Sequence, residues 1–387
     1  MAVHAGTLRC QERGGGRWRW GPSGRQRPQR RAESDMALRR RTKGSPLTRR
    51  ERGVLEAVVR TYVETAEPAG SRTLAKRYNF GVSAATIRNT MADLEDEGYL
   101  THPHTSAGRV PTDLAYRFFV DRVVRPGSLT EAEKSLIERE LSGGDSALER
   151  VLRSATRALG ILVNELGVGS VPRLDDACLE KIDLIRVSSS KVLMIVTVRS
   201  GMVRTVYVDL PGDVPSDVLN GLQRVLNERL AGLTFVEIRR SFGERLRDAV
   251  EDPAARDILN IFVESSDEFF GPGPPPRDRV VLGQTSSIAA QPEFASNERL
   301  RDLIALTEQK ELLARVLGKR VAGGGPYVTI GGEHAPELAG FTLVTSGYRL
   351  GGLRGVVGVI GPTRMPYEKV IAIVDYTSSL VTRMLEP

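Results

Sequence analysis

The segment 81–111, GVSAATIRNTMADLEDEGYLTHPHTSAGRVP, constrains this chain more than any other stretch of its 387 residues. Ser83 is typical of a helix N-cap, because its hydroxyl can accept a hydrogen bond from an unpaired backbone N–H of the first turn. Ile87, Met91 and Leu94 then recur at spacings of four and three, which places them on one side of a helix. The segment therefore predicts a helix that begins after Ser83 and buries this apolar stripe.

The opposite face of this helix has the chemistry of a base-reading surface. Arg88 and Asn89 lie on that face beside the small residues Ala85 and Ala92. Small side chains allow a helix to enter the major groove, and Arg and Asn form good hydrogen bonds with the edges of guanine and adenine. We therefore predict DNA contacts from this end of the helix: Ser83, Ala85, Thr86, Arg88 and Asn89.

Charge gives the helix a direction. Its last turn carries four carboxylates, which phosphate would repel and which oppose the helix dipole. The N-terminal half is therefore expected to face DNA, and Gly98 is expected to end the helix. The carboxylates are those of Asp93, Glu95, Asp96 and Glu97.

Two short strands are predicted next, at 99–101 and 108–110, joined by a loop at 102–107. A hairpin beside a recognition helix is a wing, and its tip can reach phosphate or the minor groove. We predict such contacts from His104, Thr105 and Arg109. The alternative is an ordinary helix–hairpin unit with a solvated polar face.

Two helices are predicted upstream. Residues 48–51 form a capping box that opens the first helix, and residues 67–70 interrupt it. Ser71 is expected to cap a second helix, which leads through a tight turn at 79–82 to Ser83. Helix, helix, turn, helix and wing is the order of a winged helix-turn-helix. Ser71, Arg72 and Lys76 are candidate phosphate contacts, with an exposed solvated face as the alternative.

These motifs resemble the family of the heat-inducible transcription repressor HrcA. The resemblance is carried by SAATIRN at 83–89, DLE at 93–95, GYL at 98–100, PHTSAGRVPT at 103–112 and YRF at 116–118. It runs from about residue 45 to the C-terminus, is strongest over 47–121 and is weaker over 211–320. Residues 1–44 lie outside it.

The resemblance implies a function and its partners. It implies a dimeric bacterial repressor that binds double-stranded DNA at an inverted repeat called CIRCE, ahead of chaperone operons, and that is released on heat stress. It also implies that the GroE chaperonin helps the repressor to reach its active form. The family architecture that it implies is a GAF-like domain interrupted by an inserted dimerisation domain.

Charge is unevenly distributed along the chain. Residues 1–50 hold 14 Lys and Arg and three acidic residues, a net charge of +11. Since the whole chain carries +7, residues 51–387 carry a net charge of −4. Any nucleic-acid surface of the folded part must therefore be a local patch.

Residues 1–44 are too poor in apolar residues to fold alone. They are interpreted as a basic, disordered tail that binds DNA non-specifically, or as a mis-assigned start, because Met36 lies just before the recognisable domain. A transit peptide is a third interpretation. Two cysteines far apart exclude a disulfide framework, which suits a cytoplasmic protein. No apolar run is long enough for a transmembrane helix, so no membrane association is expected.

The remaining pattern predicts an α+β chain. An aromatic helix after Thr112 is expected to be a packed joint between domains. Strand-like runs at 182–187, 192–198 and 203–209 predict an antiparallel meander. Helices are predicted over 213–317, followed by strands at 327–330, 341–346 and 353–360 and a final helix at about 367–384. The six strands are expected to form one sheet domain that the helical segment interrupts.

We therefore divide the chain into a winged-helix DNA-binding domain at 45–122, a GAF-like domain at 123–212 and 318–387, and an inserted dimerisation domain at 213–317. The names of the last two come from the resemblance. A homodimer is expected, because one recognition helix makes too few base contacts to select one site. Apolar helical positions in the insert are either the dimer interface or its internal core: Val218, Leu222, Val225 and Leu226.

No catalytic, cofactor or metal site is predicted. His102 and His104 have no third ligand nearby in the sequence, and the glycine-rich runs lack the pattern of a phosphate loop. We conclude that the chain is a cytoplasmic, dimeric transcription repressor without enzymatic activity. The alternatives are a winged-helix regulator that responds to a metabolite, and an enzyme with an appended winged helix.

Overall fold

Three helices and a two-stranded hairpin come first. The computed structural model describes residues 47–104, 107–125, 127–142, 148–210, 212–246, 253–271, 276–321 and 325–386. The predictions for residues 1–44 and for Thr105 lie outside these ranges. The elements are α1 (Arg49–Thr65), α2 (Ser71–Arg77), α3 (Ala84–Asp96), β1 (Leu100–Thr101) and β2 (Val110–Pro111).

Each of these helices buries apolar side chains. Leu55 of α1, Leu74 of α2 and Ile87 of α3 are fully buried. The start of α2 differs from the prediction, because Gly70 is the N-cap and no side chain caps the helix. Ser71 is instead the first helical residue, so its predicted capping role is wrong. Gly70 has an extended backbone, which lets the chain leave the preceding turn directly into α2.

Helix α4 (Asp113–Arg122) connects the hairpin to the rest of the chain. The Thr112 hydroxyl caps it by accepting a hydrogen bond from the Ala115 N–H at 3.4 Å. Tyr116 is 1% exposed, and its ring centroid lies 5.9 Å from that of Tyr367 near the C-terminus. As predicted, this aromatic helix is a packed joint.

Two arginine–carboxylate pairs dock the N-terminal helices on the rest of the chain. Arg60 of α1 donates to both oxygens of Glu368, at 2.8 and 3.3 Å. Arg117 of α4 donates to both oxygens of Glu333, at 2.6 and 2.5 Å. Two parallel N–H···O bonds fix the relative orientation of the partners as well as their separation.

A third arginine, Arg364, belongs to the C-terminal part of the chain and contacts α1. Its Nη1 donates to the Val63 carbonyl near the end of α1 at 2.8 Å. The same guanidinium makes a two-point pair with Glu293, whose Nη2–Oε2 distance is 3.0 Å. The Arg364 side chain is only 16% exposed, so these bonds form away from bulk water.

Two further sheets and the helices that cover them make up the rest of the part of the chain that the structure describes. The strands are β3 (Leu166–Ser170), β4 (Leu179–Ser188), β5 (Lys191–Val198), β6 (Val203–Asp209), β7 (Val280–Leu282), β8 (Tyr327–Ile330), β9 (Phe341–Leu350) and β10 (Leu353–Pro362). The helices are α5 (Glu131–Ser142), α6 (Leu148–Val163), α7 (Ser216–Leu230), α8 (Phe235–Leu246), α9 (Pro253–Glu264), α10 (Ser266–Phe270), α11 (Thr285–Ala289), α12 (Asn297–Glu308), α13 (Lys310–Gly318) and α14 (Tyr367–Leu385).

The larger sheet has five antiparallel strands in the order β7-β3-β10-β9-β8. Leu166 and Val168 of β3 belong to a core shared with α12 and α13. The intervening Gly167 faces α6, where a Cβ would lie 1.9 Å from the Thr156 carbonyl oxygen. Since alternate residues of a strand point to opposite faces, this sheet lies between two layers of helices.

The strands β4, β5 and β6 form the predicted antiparallel meander, but as a separate three-stranded sheet. Its inner face shares one core with α7–α10, which includes Met194, Leu222 and Phe262. The prediction that the meander and the last three strands build one sheet is therefore wrong. β3 and β7 join β8–β10 in its place.

The cause of this error lies in the composition and length of β3 and β7. β3 reads LGVGS, and two glycines in five residues weaken a strand signal. β7 has only three residues. Neither strand is recognisable from propensity alone. Their pairing partners also lie far along the chain, so neighbouring residues do not indicate the pairing.

The mixed helix and sheet class with antiparallel sheets agrees with the predicted α+β class. The segment 213–317 is divided between two cores, because α7–α10 pack on the meander and residues of α11–α13 pack on the five-stranded sheet. The predicted bounds of the insert therefore match neither core. None of the described helices is long and apolar enough to cross a membrane.

Two buried tyrosines predict opposite responses to the same change. Tyr348 is fully buried and its hydroxyl donates to the Ser170 carbonyl at 2.8 Å, whereas the buried Tyr116 hydroxyl has no partner among the described residues. Tyr348→Phe should lower the free energy of unfolding by about 1–2 kcal/mol, because it leaves a carbonyl unpaired. Tyr116→Phe should leave it unchanged or raise it by up to about 1 kcal/mol. Urea unfolding measures both, and an equal loss in the two variants would show that the Tyr348 hydrogen bond adds no stability of its own.

Candidate nucleic-acid interface

Helix α3 has the two faces that its sequence predicts. Ile87 and Leu94 are fully buried and Met91 is 4% exposed. Arg88 and Asn89 are exposed on the opposite face. The exposed residues on that face also include Ala85 and Ala92. The helix therefore presents a guanidinium and a carboxamide between small side chains, without a bulky residue that would hold it away from a groove.

Ser83 fixes the start of this helix. It has an extended backbone, and its hydroxyl accepts a hydrogen bond from the Thr86 N–H at 3.2 Å. The Thr86 hydroxyl lies 3.0 Å from the same Ser83 oxygen. Both candidate contact residues are therefore already used to cap α3, which orients its first turn.

The remaining candidate residues on the helices differ in their exposure and in their side-chain partners. Among the described residues, no side-chain partner is seen for Arg88 or Asn89. Arg72 and Lys76 are exposed on α2, whereas Ser71 is only partly buried at its start. The exposed cations are therefore available for an external anion.

The hairpin is held against α3 by one carboxylate, Glu95. Its Oε2 pairs with Arg109 Nη2 at 2.7 Å, and its Oε1 accepts a hydrogen bond from His102 Nδ1. Arg109 and His102 lie on opposite sides of the hairpin loop. Glu95 thus bonds both arms of the hairpin to the end of the helix.

This geometry changes the expected role of Arg109. Its side chain is only 24% exposed and its Nε is buried without a hydrogen-bond partner among the described residues. In this structure the guanidinium fixes the hairpin, and a phosphate contact by Arg109 stays a prediction. His104 is exposed near the tip, and Thr105 lies outside the described residues.

Gly108 allows the hairpin to approach the turn between α1 and α2. The backbone of the next residue, Arg109, exchanges two hydrogen bonds with Ala69, at 2.9 and 3.0 Å. A Cβ on Gly108 would lie 2.5 Å from the Ala69 carbonyl oxygen and 2.7 Å from that of Pro68. A larger residue would therefore push the hairpin away from the helices.

The C-terminal end of α3 is acidic, as predicted. Burial and the neighbouring carboxylates of Glu51 and Asp93 raise the pKa of Glu97. Gly98 then ends the helix with a φ of 83°, a conformation that favours glycine. Because Glu95 bonds to Arg109 and His102, the acidic end of α3 also holds the hairpin in place.

Elsewhere in the described residues, no group of three His, Cys, Asp or Glu side chains is arranged to hold a metal ion. The N-terminal part of the described chain is a candidate binding surface. It consists of exposed α3 side chains, exposed cations on α2 and a hairpin fixed beside them.

Known proteins resemble this chain over most of its length. The family model described as "HrcA protein C terminal domain" matches residues 149–371. The heat-inducible transcription repressors HrcA of Chlorobium phaeobacteroides (strain BS1) and of Chlorobaculum tepidum are 39% and 38% identical to it, and the matches cover 88% of this chain and 98% of each relative. The chain belongs to the HrcA family of heat-inducible transcription repressors. This confirms the resemblance inferred from the motifs at 83–118.

A solved structure supports the fold of this HrcA-family chain. A crystal structure described as that of a hypothetical protein superposes with a TM-score of 0.53 at 22% sequence identity, and the match covers 88% of this chain and 99% of that one. At this identity the likeness shows the fold alone. Family membership supports repression of heat-shock genes as the function.

The contacts of Glu95 generate a prediction for the HrcA-family hairpin. Glu95→Gln keeps the shape of the side chain but removes the charge that Arg109 needs, so the hairpin should open more easily by about 1–2 kcal/mol. Hydrogen exchange of the Thr101 and Val110 amides measures this opening. Asp96→Asn removes an exposed carboxylate one residue away and is the matched control. Wild-type exchange in Glu95→Gln would show that the carboxylate does not hold the hairpin.

Proposed function

We propose that this chain represses transcription by occupying double-stranded DNA, with α3 in the major groove and the β1–β2 hairpin as a wing. The observation that carries this proposal is the exposed α3 face, which presents Arg88 and Asn89 opposite a fully buried stripe. Helices α1–α3 and the hairpin have the order of a winged helix-turn-helix, in which the last helix reads base edges.

Contacts in this arrangement divide into two classes. Arg88 and Asn89 are suited to base edges, since a guanidinium binds guanine O6 and N7 and a carboxamide binds adenine N6 and N7. Arg72 and Lys76 on α2 are suited to phosphate, which positions the protein without reading sequence. The caps made by Ser83 and the small side chain of Ala85 would let the first turn approach the groove closely.

The two classes predict different behaviour in electrophoretic shift assays. Asn89→Ala or Arg88→Ala should weaken binding to the operator by about 1–3 kcal/mol and relax the base preference. Arg72→Ala should weaken operator and scrambled DNA alike and lower the slope of log affinity against log salt by about one. The operator is an inverted repeat of the CIRCE type. Unchanged discrimination between operator and scrambled DNA in both α3 variants would contradict the assignment of α3.

We further infer a homodimer, because two recognition helices double the base contacts and match an inverted repeat. The helical positions first considered for the interface are unsuitable. Leu222 and Leu226 are buried in the meander core, and Val218 and Val225 pack against it. Burial of these positions favours an interface on an exposed face instead.

The outer face of the meander sheet is the surface that favours self-association. Ile185 and Val187 of β4 are 49% and 53% exposed, and Val203 and Tyr207 of β6 are 58% and 62% exposed. Leu193 lies between Ile185 and Tyr207 in the strand register. An apolar face of this kind on a sheet is typical of a protein contact surface. We propose that two copies pack these faces together, with the meander and its helices as the dimerisation domain.

Two isoleucines of similar exposure test this interface. Ile185→Lys should convert the dimer to a monomer in light scattering, because it places two charges in an apolar contact. The same variant should bind half-sites weakly and ignore the spacing of the repeat. Ile304→Lys, at a position 47% exposed on α12, is the matched control and should stay dimeric. A dimeric, spacing-sensitive Ile185→Lys protein would place the contact elsewhere.

The proposal includes GroE chaperonin as a partner and a cytoplasmic site of action. This part comes from the family resemblance, and the sheet topology supports it. β3 must pair with β10 across a long stretch of chain, and non-local pairing of this kind is slow and exposes apolar surface meanwhile. Heat would divert the chaperonin to other clients, and fewer repressor molecules would then reach the active form.

A further inference from the structure

An open cavity of about 330 Å³ lies at one end of the meander sheet, on its inner side. Its volume is in the range of small-molecule sites, which are mostly apolar with a few placed polar groups. Val196 and Val198 of β5 form its floor, and these residues are fully or almost fully buried. The wall is formed by Leu174, Met202, Phe235 and the side chain of Arg204.

Arg204 also belongs to a group of four arginines, which we call the arginine cluster: Arg173, Arg204, Arg239 and Arg279. Arg204 donates to the Gly271 carbonyl at 3.2 Å, and Arg239 donates to the preceding carbonyl, that of Phe270. The carboxylate of Asp175 accepts hydrogen bonds from Arg239 at 2.5 Å and from Arg173 at 2.9 Å. Asp175 follows Leu174, so the cluster borders the cavity.

The arginine cluster carries more positive charge than its bonded carboxylate neutralises. Among the described residues, no carboxylate is hydrogen-bonded to Arg204 or Arg279, and the Nε of Arg279 is buried without a partner. Glu268 attracts Arg204 only at longer range. Burial lowers the pKa of both guanidinium groups. Arg173 lowers that of Arg279 further, and the attraction of Asp175 offsets this only in part. Partly desolvated cations of this kind gain free energy when an anion pairs with them.

We propose that this cavity binds a small amphipathic carboxylate, with its apolar chain against Val196, Val198 and Phe235 and its carboxylate on Arg204. The apolar lining and the single adjacent guanidinium favour a ligand that has both an apolar chain and a carboxylate. Inorganic phosphate would leave the apolar cavity empty, and an uncharged chain would leave Arg204 without a counter-charge. The site shares no residue with the candidate DNA surface. Val203 lines the open side of the cavity and also belongs to the proposed dimer face, so octanoate binding is measured together with the oligomeric state.

Octanoate is the probe for the full-length protein, and titration calorimetry is the measurement. One octanoate should bind each chain with a dissociation constant below about 1 mM. Octanol tests the need for the charge and acetate tests the need for the chain, so both should bind at least tenfold more weakly. Inorganic phosphate should not compete with octanoate. Equal binding of octanol, or displacement by phosphate, would overturn the proposal.

Three variants separate the site from the fold. Arg204→Gln should weaken octanoate binding about 10- to 100-fold and leave octanol binding unchanged, because only the charged contact is lost. Met202→Trp should weaken both ligands by filling the cavity. Arg224→Gln, which removes an exposed arginine on α7, should bind like the wild type. Thermal unfolding confirms that each variant is folded. Unchanged octanoate binding in folded Arg204→Gln and Met202→Trp would show that octanoate binds elsewhere.

Discussion

The position of the N-terminal helices α1–α4 depends on guanidinium groups that cross one joint. Arg364 bonds to the last turn of α1 and to Glu293, while Arg60 and Arg117 reach out from the helices to Glu368 and Glu333. Such pairs are directional, since each arginine presents several N–H groups in a fixed plane. The buried ring of Tyr116 packs near that of Tyr367 in the same joint. The hydrogen bonds therefore fix the orientation of the helices at this joint, although most of the named contacts are polar.

This joint and the contacts of Glu95 form a continuous support for the candidate DNA surface. The joint holds α1 and α4, Ala69 pairs with Arg109 next to α1, and Glu95 bonds the hairpin to α3. Arg88 and Asn89 take no part in these contacts. The residues that position the surface are thus different from those proposed to read DNA, so substitutions in each group have separable effects.

Local patterns made helix α3 and the meander predictable from the sequence. The stripe at Ile87, Met91 and Leu94 and the cap at Ser83 depend only on near neighbours, and so do the alternating strands β4–β6. The docking of the aromatic helix after Thr112 was also predictable, because five large apolar side chains in a short helix need a partner surface.

Non-local contacts were not predictable in the same way. The acidic run at the end of α3 was interpreted only as a repelled end, because nothing local indicates that the hairpin turns back to Glu95. The glycines of β3 weaken its strand signal, and Gly167 is required because α6 approaches the strand closely there. In the same way, sequence periodicity could not distinguish the interface from the core at Leu222, which requires knowledge of what the helix packs against.

The pairing of β3 with β10 also determines when the larger sheet can form during synthesis. Ser170 and its partner Val356 are separated by 186 residues. At a translation rate of about 5–20 residues per second, β3 leaves the ribosome roughly 10–40 s before its partner. The meander strands are neighbours and meet much earlier. The nascent chain therefore holds the meander while β3, which can already pair with β7, still lacks its partner β10 on the other side.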